Sequence, residues 1–251
     1  MAPFKNAYES HDHSLDVLNL LYGYDSFLDS LTTIADMGCG VGYDSQWWAQ
    51  LETRDDPPEP HNYKVYAVDH QIYQIENQIK VDCPNIVPID ADFETVTLPT
   101  QADLIWAHDV LQYSRNPLMC LGNWRRNMTE NGMLVVSVPQ TTYMYNNRLT
   151  VMSQNYQYYN YNLLSLMYLL CLSGFDCRDA YFYRKANTPW LYAAVYASHV
   201  EPIMGHASWA DLAARRLVND SVIASVNKYG YARLEDIVVQ WLDKDNYLIK
   251  D

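Results

Sequence analysis

Five apolar runs of strand length, alternating with segments of helical spacing, constrain this chain more than any other feature. The runs are "LTTIADM" (31–37), "KVYAVD" (64–69), "NIVPID" (85–90), "ADLIWA" (102–107) and "MLVVSVP" (133–139). Among them stand "YDSQWWAQLE", "QIYQIENQIKV" and "NPLMCLGNWRRNMT", whose apolar residues recur at helical spacing. Such alternation predicts an α/β fold, a doubly wound and mostly parallel sheet with helices on both faces. The polar, proline-bearing loop "RDDPPEPHN" and the turn "ENG" supply the breaks. Residues 14–30 also have helical spacing, interrupted at Gly23. Beyond the fifth run, "NYNLLSLMYLLCLSG" reads as a helix closed by Gly174, and "CRDAYFYRKANTPWLYAAVYAS" as a hairpin whose loop holds "ANTP". From Gly205 onward the chain reads as helical ("HASWADLAARRLV", "SVIASVNKYG"). The expected organisation is one domain over 1–204 and a helical C-terminal extension over 205–251 packed on it.

The chain has 9 glycines in 251 residues and places three of them at Gly38, Gly40 and Gly42, just after the first apolar run and Asp36. A strand–glycine loop–helix unit turns backbone N–H groups toward a ligand at the carboxyl edge of a sheet. Glycine is needed where a Cβ would block that approach or forbid positive φ. An acid ending the next strand can accept from ribose hydroxyls, and Asp69 stands there. The spacing is G-x-G-x-G and lacks the G-x-x-G step of the dinucleotide fingerprint. A plain tight turn or a nicotinamide-nucleotide site therefore stays open on spacing alone.

Charge narrows the partners. With 17 Lys+Arg against 30 Asp+Glu the formal net charge is −13, which repels a phosphate backbone. The pairs Arg125–Arg126 and Arg215–Arg216 are isolated and read as solvated helix faces. Nucleic acid is not an expected partner. Five irregularly spaced cysteines without a CxxC fit a reducing compartment. The opening "MAPFKNAYESHDHSLD" has no apolar core of the signal-peptide kind, and "LLSLMYLLCL" is about half the length of a bilayer span. A soluble, cytoplasmic protein without membrane association is expected. His11 and His13 have the spacing of a metal pair but no partner cluster, so no metal is expected.

The blocks "IADMGCGVG", "VYAVD", "NIVPIDADFETVTLP" and "ADLIWAHDVLQYSRNPLMCLGNWRRNMTENGMLVVSVP" together resemble the class I S-adenosylmethionine-dependent methyltransferases, in the same order, over roughly residues 33–139. The likeness is to the broad subgroup that methylates metabolites. Asn131 stands where the family usually has the first of two glycines, and Tyr113 where it usually has a histidine. The family's hairpin after the fifth strand extends the resemblance to about residue 198. The resemblance implies a Rossmann-like, seven-stranded sheet whose last strand is antiparallel, with S-adenosylmethionine as cofactor. Carried over by position, Asp36, Gly38, Cys39, Gly40 and Gly42 would frame the methionine part. Asp69 would bind the ribose and His70 would lie against adenine. Asp92, with Asp90 in competition, would take the adenine amino group, and Phe93 would lie beside the ring. His108 would lie near the methionine amino group and is the candidate general base.

Methyl transfer from a sulfonium is an in-line displacement with a neutral leaving group, so orientation supplies much of the rate. The chain has "AHDV" in place of the N/D-P-P-Y/F motif of enzymes that methylate amino groups of DNA bases, and no Pro-Cys pair at that position. A small-molecule acceptor methylated on oxygen or nitrogen is the leading reading. A protein or RNA methyltransferase, or a silent cofactor-binding protein, are the alternatives. The segment 141–162 carries six tyrosines and, after the fifth strand, would lie over the carboxyl edge of the sheet. Tyr113, Tyr156, Tyr158 and Tyr159 are the expected acceptor-lining residues. An aromatic seam against the sheet edge, or against a second subunit of a homodimer, is the other reading of this lid. Tyr8 and the N-terminal helix could fold over the cofactor.

Overall fold

The computed structural model describes residue 17 and residues 28–53, 57–72, 82–145, 148–151, 157–184 and 190–241. Most of the two helices expected near 14–30 and 71–81, together with Tyr8, His11, His13 and Tyr156, lies outside the described residues.

The first five strands are β1 (Thr33–Met37), β2 (Lys64–Asp69), β3 (Ile86–Asp90), β4 (Ala102–Ala107) and β5 (Met128–Pro139). Helix α1 (Tyr43–Ala49) follows β1, and α2 (Pro117–Arg126) precedes β5. A small hairpin, β6 (Thr142–Tyr145) with β7 (Arg148–Val151), comes next, then α3 (Leu163–Leu172) and the long strands β8 (Phe175–Tyr183) and β9 (Trp190–Ala197). The C-terminal part holds α4 (Trp209–Ala214), α5 (Asp220–Tyr229) and the two-residue strand β10 (Gln240–Trp241).

The main sheet has the order β10-β8-β9-β5-β4-β1-β2-β3. Every strand in it runs the same way except β9, which is antiparallel to both β5 and β8. This is the expected mostly parallel, doubly wound sheet, widened at one edge by β10. One local reading needs correction. The "ENG" segment is not a free turn, because β5 already begins at Met128 and accommodates the extra residues by a register shift opposite Ala102–Leu104. The region over 141–162 opens with the β6–β7 hairpin.

Both faces of the sheet are buried, and the residues alternate between them with the period of a strand. Ile34, Val65, Ala67, Leu104, Trp106 and Val135 join one apolar cluster with Trp47 and Trp48 of α1. Ala35, Tyr66, Val68, Ile105, Ala107 and Val136 join the other, with Leu121 and Trp124 of α2 and the buried face of α3. Helix α3 is apolar on almost every side because it lies between the sheet and α4, and Asn162 and Ser165 cap its start reciprocally. Leu212, Leu217, Val218, Val222 and Ile237 of the C-terminal segment belong to the same cluster as α3. That segment is thereby part of the core.

Candidate active site

The carboxyl ends of β1, β2 and β4 meet at one edge. Register pairs Asp36 with Ala67 on β2 and with Trp106 on β4. The glycine loop follows directly: the N–H groups of Gly38 and Cys39 both donate to the Val68 carbonyl, at 2.8 and 3.1 Å. This folds the loop back over the end of β2. Gly38 has φ 71° and Gly40 φ 55°, both left-handed. A Cβ on Gly38 would overlap Val110 Cγ2, whereas one on Gly40 would meet none of the described residues within 4 Å. Gly38 is thus fixed by packing, and Gly40 is clear of the described residues.

Asp69 binds the loop from β2. Its Oδ2 accepts from Gly40 N–H at 3.0 Å and its Oδ1 from Gln71 N–H at 2.8 Å. A carboxylate has about four acceptor sites. Two backbone donors hold it in place and leave capacity for a diol, so the residues fit the ribose of an adenosyl cofactor.

Asp36 is turned inward. It is 2% exposed and accepts from Ser45 Oγ of α1 at 2.5 Å. Beside it, Trp106 Nε1 donates to Asp44 of α1 at 2.8 Å. These contacts dock α1 on the sheet, so the Asp36 carboxyl lies beneath the loop. Burial pushes its pKa well above the usual carboxylate value, and the charge of Asp44 adds to this while Ser45 opposes it. An acid raised on folding contributes stability that is complete below its unfolded value of about 3.9 and is lost as pH rises through the folded value. Asp36→Asn keeps an acceptor for Ser45. It should raise stability at pH 8 by roughly 1–3 kcal/mol and make it less pH-dependent. Thermal melts of both proteins from pH 4 to 8 check this.

Burial, then the charges of Asp36 and Asp69, drive the Cys39 thiol far upward, so it is an inert wall rather than a nucleophile. On the β3 side, the strand ends at Asp90, and Asp92 lies past it in a turn, accepting from Glu94 N–H at 2.8 Å. The two acids therefore do not share a strand face. Asp92 lies near His70, whose Nε2 is 3.9 Å from Asp92 Oδ2, while Asp90 pairs in register with Asp69. Phe93 is half-buried against the core, its ring 6.4 Å from Trp124.

At the end of β4, His108 is set among aromatic rings. Its Nε2 lies 3.1 Å from Tyr192 Oη, and its ring packs near Trp106, Trp190 and Tyr192. The next residue, Asp109, was not singled out by the sequence. It has φ 55°, its N–H donates to Ser137 Oγ at 2.9 Å, and its Oδ1 accepts from Gln112 Nε2. Burial pushes it up to about 7, against the pull of the Gln112 hydrogen bond. Only the "HD" pair closing an apolar run could have signalled it. Tyr113, in the same turn, is half-buried and its phenol is pushed up by burial and then by the Asp109 charge.

The tyrosine segment reaches this end of the molecule. Tyr158 N–H donates to the Gln112 carbonyl at 2.9 Å, and Tyr161 N–H to that of Pro139 at 2.9 Å. The side chains of Tyr158 and Tyr159 are exposed, whereas Tyr161 is buried. A cavity of about 550 Å³ lined in part by Leu31, Asp103, Thr129 and Tyr196 lies at the opposite, amino-terminal edge. Its acid Asp103 already accepts from Thr32 and Thr33.

A family model described as a methyltransferase domain matches residues 28–190. Among curated proteins, none matches the chain. Solved structures share the fold at low identity. The magnesium protoporphyrin IX methyltransferase of Synechocystis PCC 6803, with bound SAH, gives a TM-score of 0.55 at 14% identity over 75% of this chain and 84% of that one. A SAM-dependent methyltransferase from Aquifex aeolicus gives 0.53 at 14% identity over 71% and 89%. The 1,6-didemethyltoxoflavin-N1-methyltransferase of Burkholderia thailandensis gives 0.51 at 13% identity over 78% and 93%. The family match spans well over half of the chain, which therefore belongs to the methyltransferase-domain family as a class I, Rossmann-like enzyme that uses S-adenosylmethionine.

Proposed function

We propose that this enzyme methylates an oxygen or nitrogen atom of a small-molecule acceptor, and that the cofactor lies across the loop Gly38–Gly42 with its ribose on Asp69. The observation that carries this reading is the clamp of Asp69 onto Gly40 N–H, which leaves Gly40 clear of the described residues and acceptor capacity on the carboxylate. When bound, S-adenosylmethionine supplies an electrophilic methyl group on a sulfonium. The chain's own part is to hold and orient. Asp69 takes the diol. His70 and Asp92 form the rim on the adenine side, with Phe93 behind them. Asp36 supports the loop from below through Ser45. His108 forms an aromatic-backed wall at the methyl end.

The acceptor would enter over β4 and β5, between Tyr113 and the segment carrying Tyr158 and Tyr159. Tyr156 belongs to the same proposal from sequence. The net charge of −13 supports a metabolite over nucleic acid. The Synechocystis and Burkholderia proteins are named for a porphyrin and for a toxoflavin precursor, which supports an acceptor of that size class. No helix among the described residues is long and apolar enough to cross a membrane. All five cysteines are free and buried, which supports a cytoplasmic setting. Incubating the enzyme with methyl-labelled S-adenosylmethionine and a deproteinised metabolite extract tests the reading. Label in a small organic product supports it; label found only in added protein or RNA overturns it.

A further inference from the structure

We propose that Asp109, held at the carboxyl end of β4 by Gln112 and Ser137, is the residue that takes the proton from the methyl acceptor. The inference rests on the reading that the glycine loop holds the cofactor. Three uncommon features meet at this one residue. Its backbone is left-handed at φ 55° without being glycine, a conformation that surrounding structure must enforce. Its carboxyl is largely buried, and among the described residues it has no cation as a hydrogen-bond partner. The side chain that meets it, Gln112, is fully buried and, among the described residues, its Oε1 has no hydrogen-bond partner. Buried polar atoms are nearly always paired, and exceptions concentrate where function requires them.

Position links these features to the methyl end. Val110, the next residue, occupies the space that a Cβ on Gly38 would need. Asp109 is thus one residue from the packing contact that fixes the glycine loop. Its N–H is tied to Ser137 on β5, which sets it across the β4–β5 edge. Gln112 also holds the tyrosine segment, through its carbonyl and Tyr158 N–H. Loop, acid and tyrosine segment are therefore joined by a single turn.

The chemistry follows from the proton balance. The X–H bond of the acceptor breaks and an O–H bond forms on the Asp109 carboxylate. The electron pair left on X would make the bond to the methyl carbon as the carbon–sulfur bond breaks, its pair staying on the sulfur of the departing neutral thioether. The proton leaves to water when product departs. An ordinary aspartate is too weak a base for this, whereas one raised to about 7 by burial is matched to neutral pH. It suits acceptors with a weakly acidic X–H, such as a phenolic or enolic hydroxyl or a protonated amine. Among the described residues, the other titratable groups near this turn include His108, Tyr113, Tyr158, Tyr192 and, beyond Ser114, Glu94. His108 is engaged with Tyr192 Oη. Tyr113 responds to the Asp109 charge. Asp109 is the only carboxyl in that turn.

Two readouts on the complex with S-adenosylhomocysteine test this. In carbon-detected NMR, with D109N assigning the resonance, the Asp109 carboxyl should titrate near pH 7; a midpoint below 5 overturns the proposal. In the labelled-extract assay, D109N should cut methyl incorporation by roughly 10²–10⁴-fold and lose the rise in rate through pH 7. S-adenosylhomocysteine affinity should stay within about threefold of wild type. D109N activity within threefold of wild type overturns the proposal. If wild-type enzyme fails to bind S-adenosylhomocysteine, the cofactor reading fails instead. The titration of Asp109 in the free protein then still decides whether it is a base near neutrality.

Discussion

Trp106→Ala should cost about 4–8 kcal/mol and remove most of the folded protein's stability. Trp106 lies near the carboxyl end of the central strand β4 and is 1% exposed. Its ring meets Trp48 of α1 edge-on at 5.8 Å, and its indole N–H donates to Asp44. Truncating a buried tryptophan costs about 3–5 kcal/mol in lost contacts and cavity. Depriving a buried acid of this donor adds about 1–3 kcal/mol. Against a total of about 5–15 kcal/mol the sum is close to limiting. Trp106→Phe keeps most of the packing and removes the donor, so it should cost only about 1–3 kcal/mol. Urea melts of the three proteins measure both terms. A loss below about 1 kcal/mol in Trp106→Ala would mean that α1 is not anchored through this contact.

Gly38→Ala should cost about 2–4 kcal/mol and also disable cofactor binding. Two effects add: alanine at φ 71° is strained by about 1–2 kcal/mol, and its Cβ would overlap Val110 Cγ2. Because Gly38 N–H is bonded to Val68, relieving the overlap shifts the loop off β2. Gly40→Ala separates binding from folding. Its Cβ would meet none of the described residues within 4 Å, so backbone strain of about 1–2 kcal/mol is the expected cost. That Cβ would nevertheless fill the space proposed for the cofactor. The expected pattern is a modest melting shift with affinity reduced at least about tenfold. Calorimetry with S-adenosylhomocysteine beside thermal melts of both variants checks it. Equal affinity losses that merely track stability would place the ligand elsewhere.

The sheet was legible because each inner strand is buried on both faces, so its apolar run is continuous and bounded by breakers. The placement of the loop at Gly38–Gly42 and of Asp69 at one sheet edge was legible for a related reason: glycines and an acid stand at fixed places after successive strands. The two-residue strand β10 was not legible, because it carries too few residues to show a period. The hairpin β6–β7 was hidden by the tyrosine-rich composition of "TYMYNNRLTV". The inward turn of Asp36 depends on Ser45, nine residues away, and on where α1 docks. Asp109 shows the limit most sharply. A lone aspartate after a strand looks like any loop acid. Its pKa is set by burial, and by a glutamine that faces it only once the turn has formed.

Binding of S-adenosylhomocysteine to the wild-type chain and to Asp69→Ala, followed by titration calorimetry, tests the central claim most directly. The clamp of Asp69 on the glycine loop predicts saturable binding by the wild type and no binding of NAD. Asp69→Ala should bind about 10- to 150-fold more weakly, since it removes charge-assisted hydrogen bonds worth about 1.5–3 kcal/mol. Unchanged affinity in Asp69→Ala, or a preference for NAD, would contradict it.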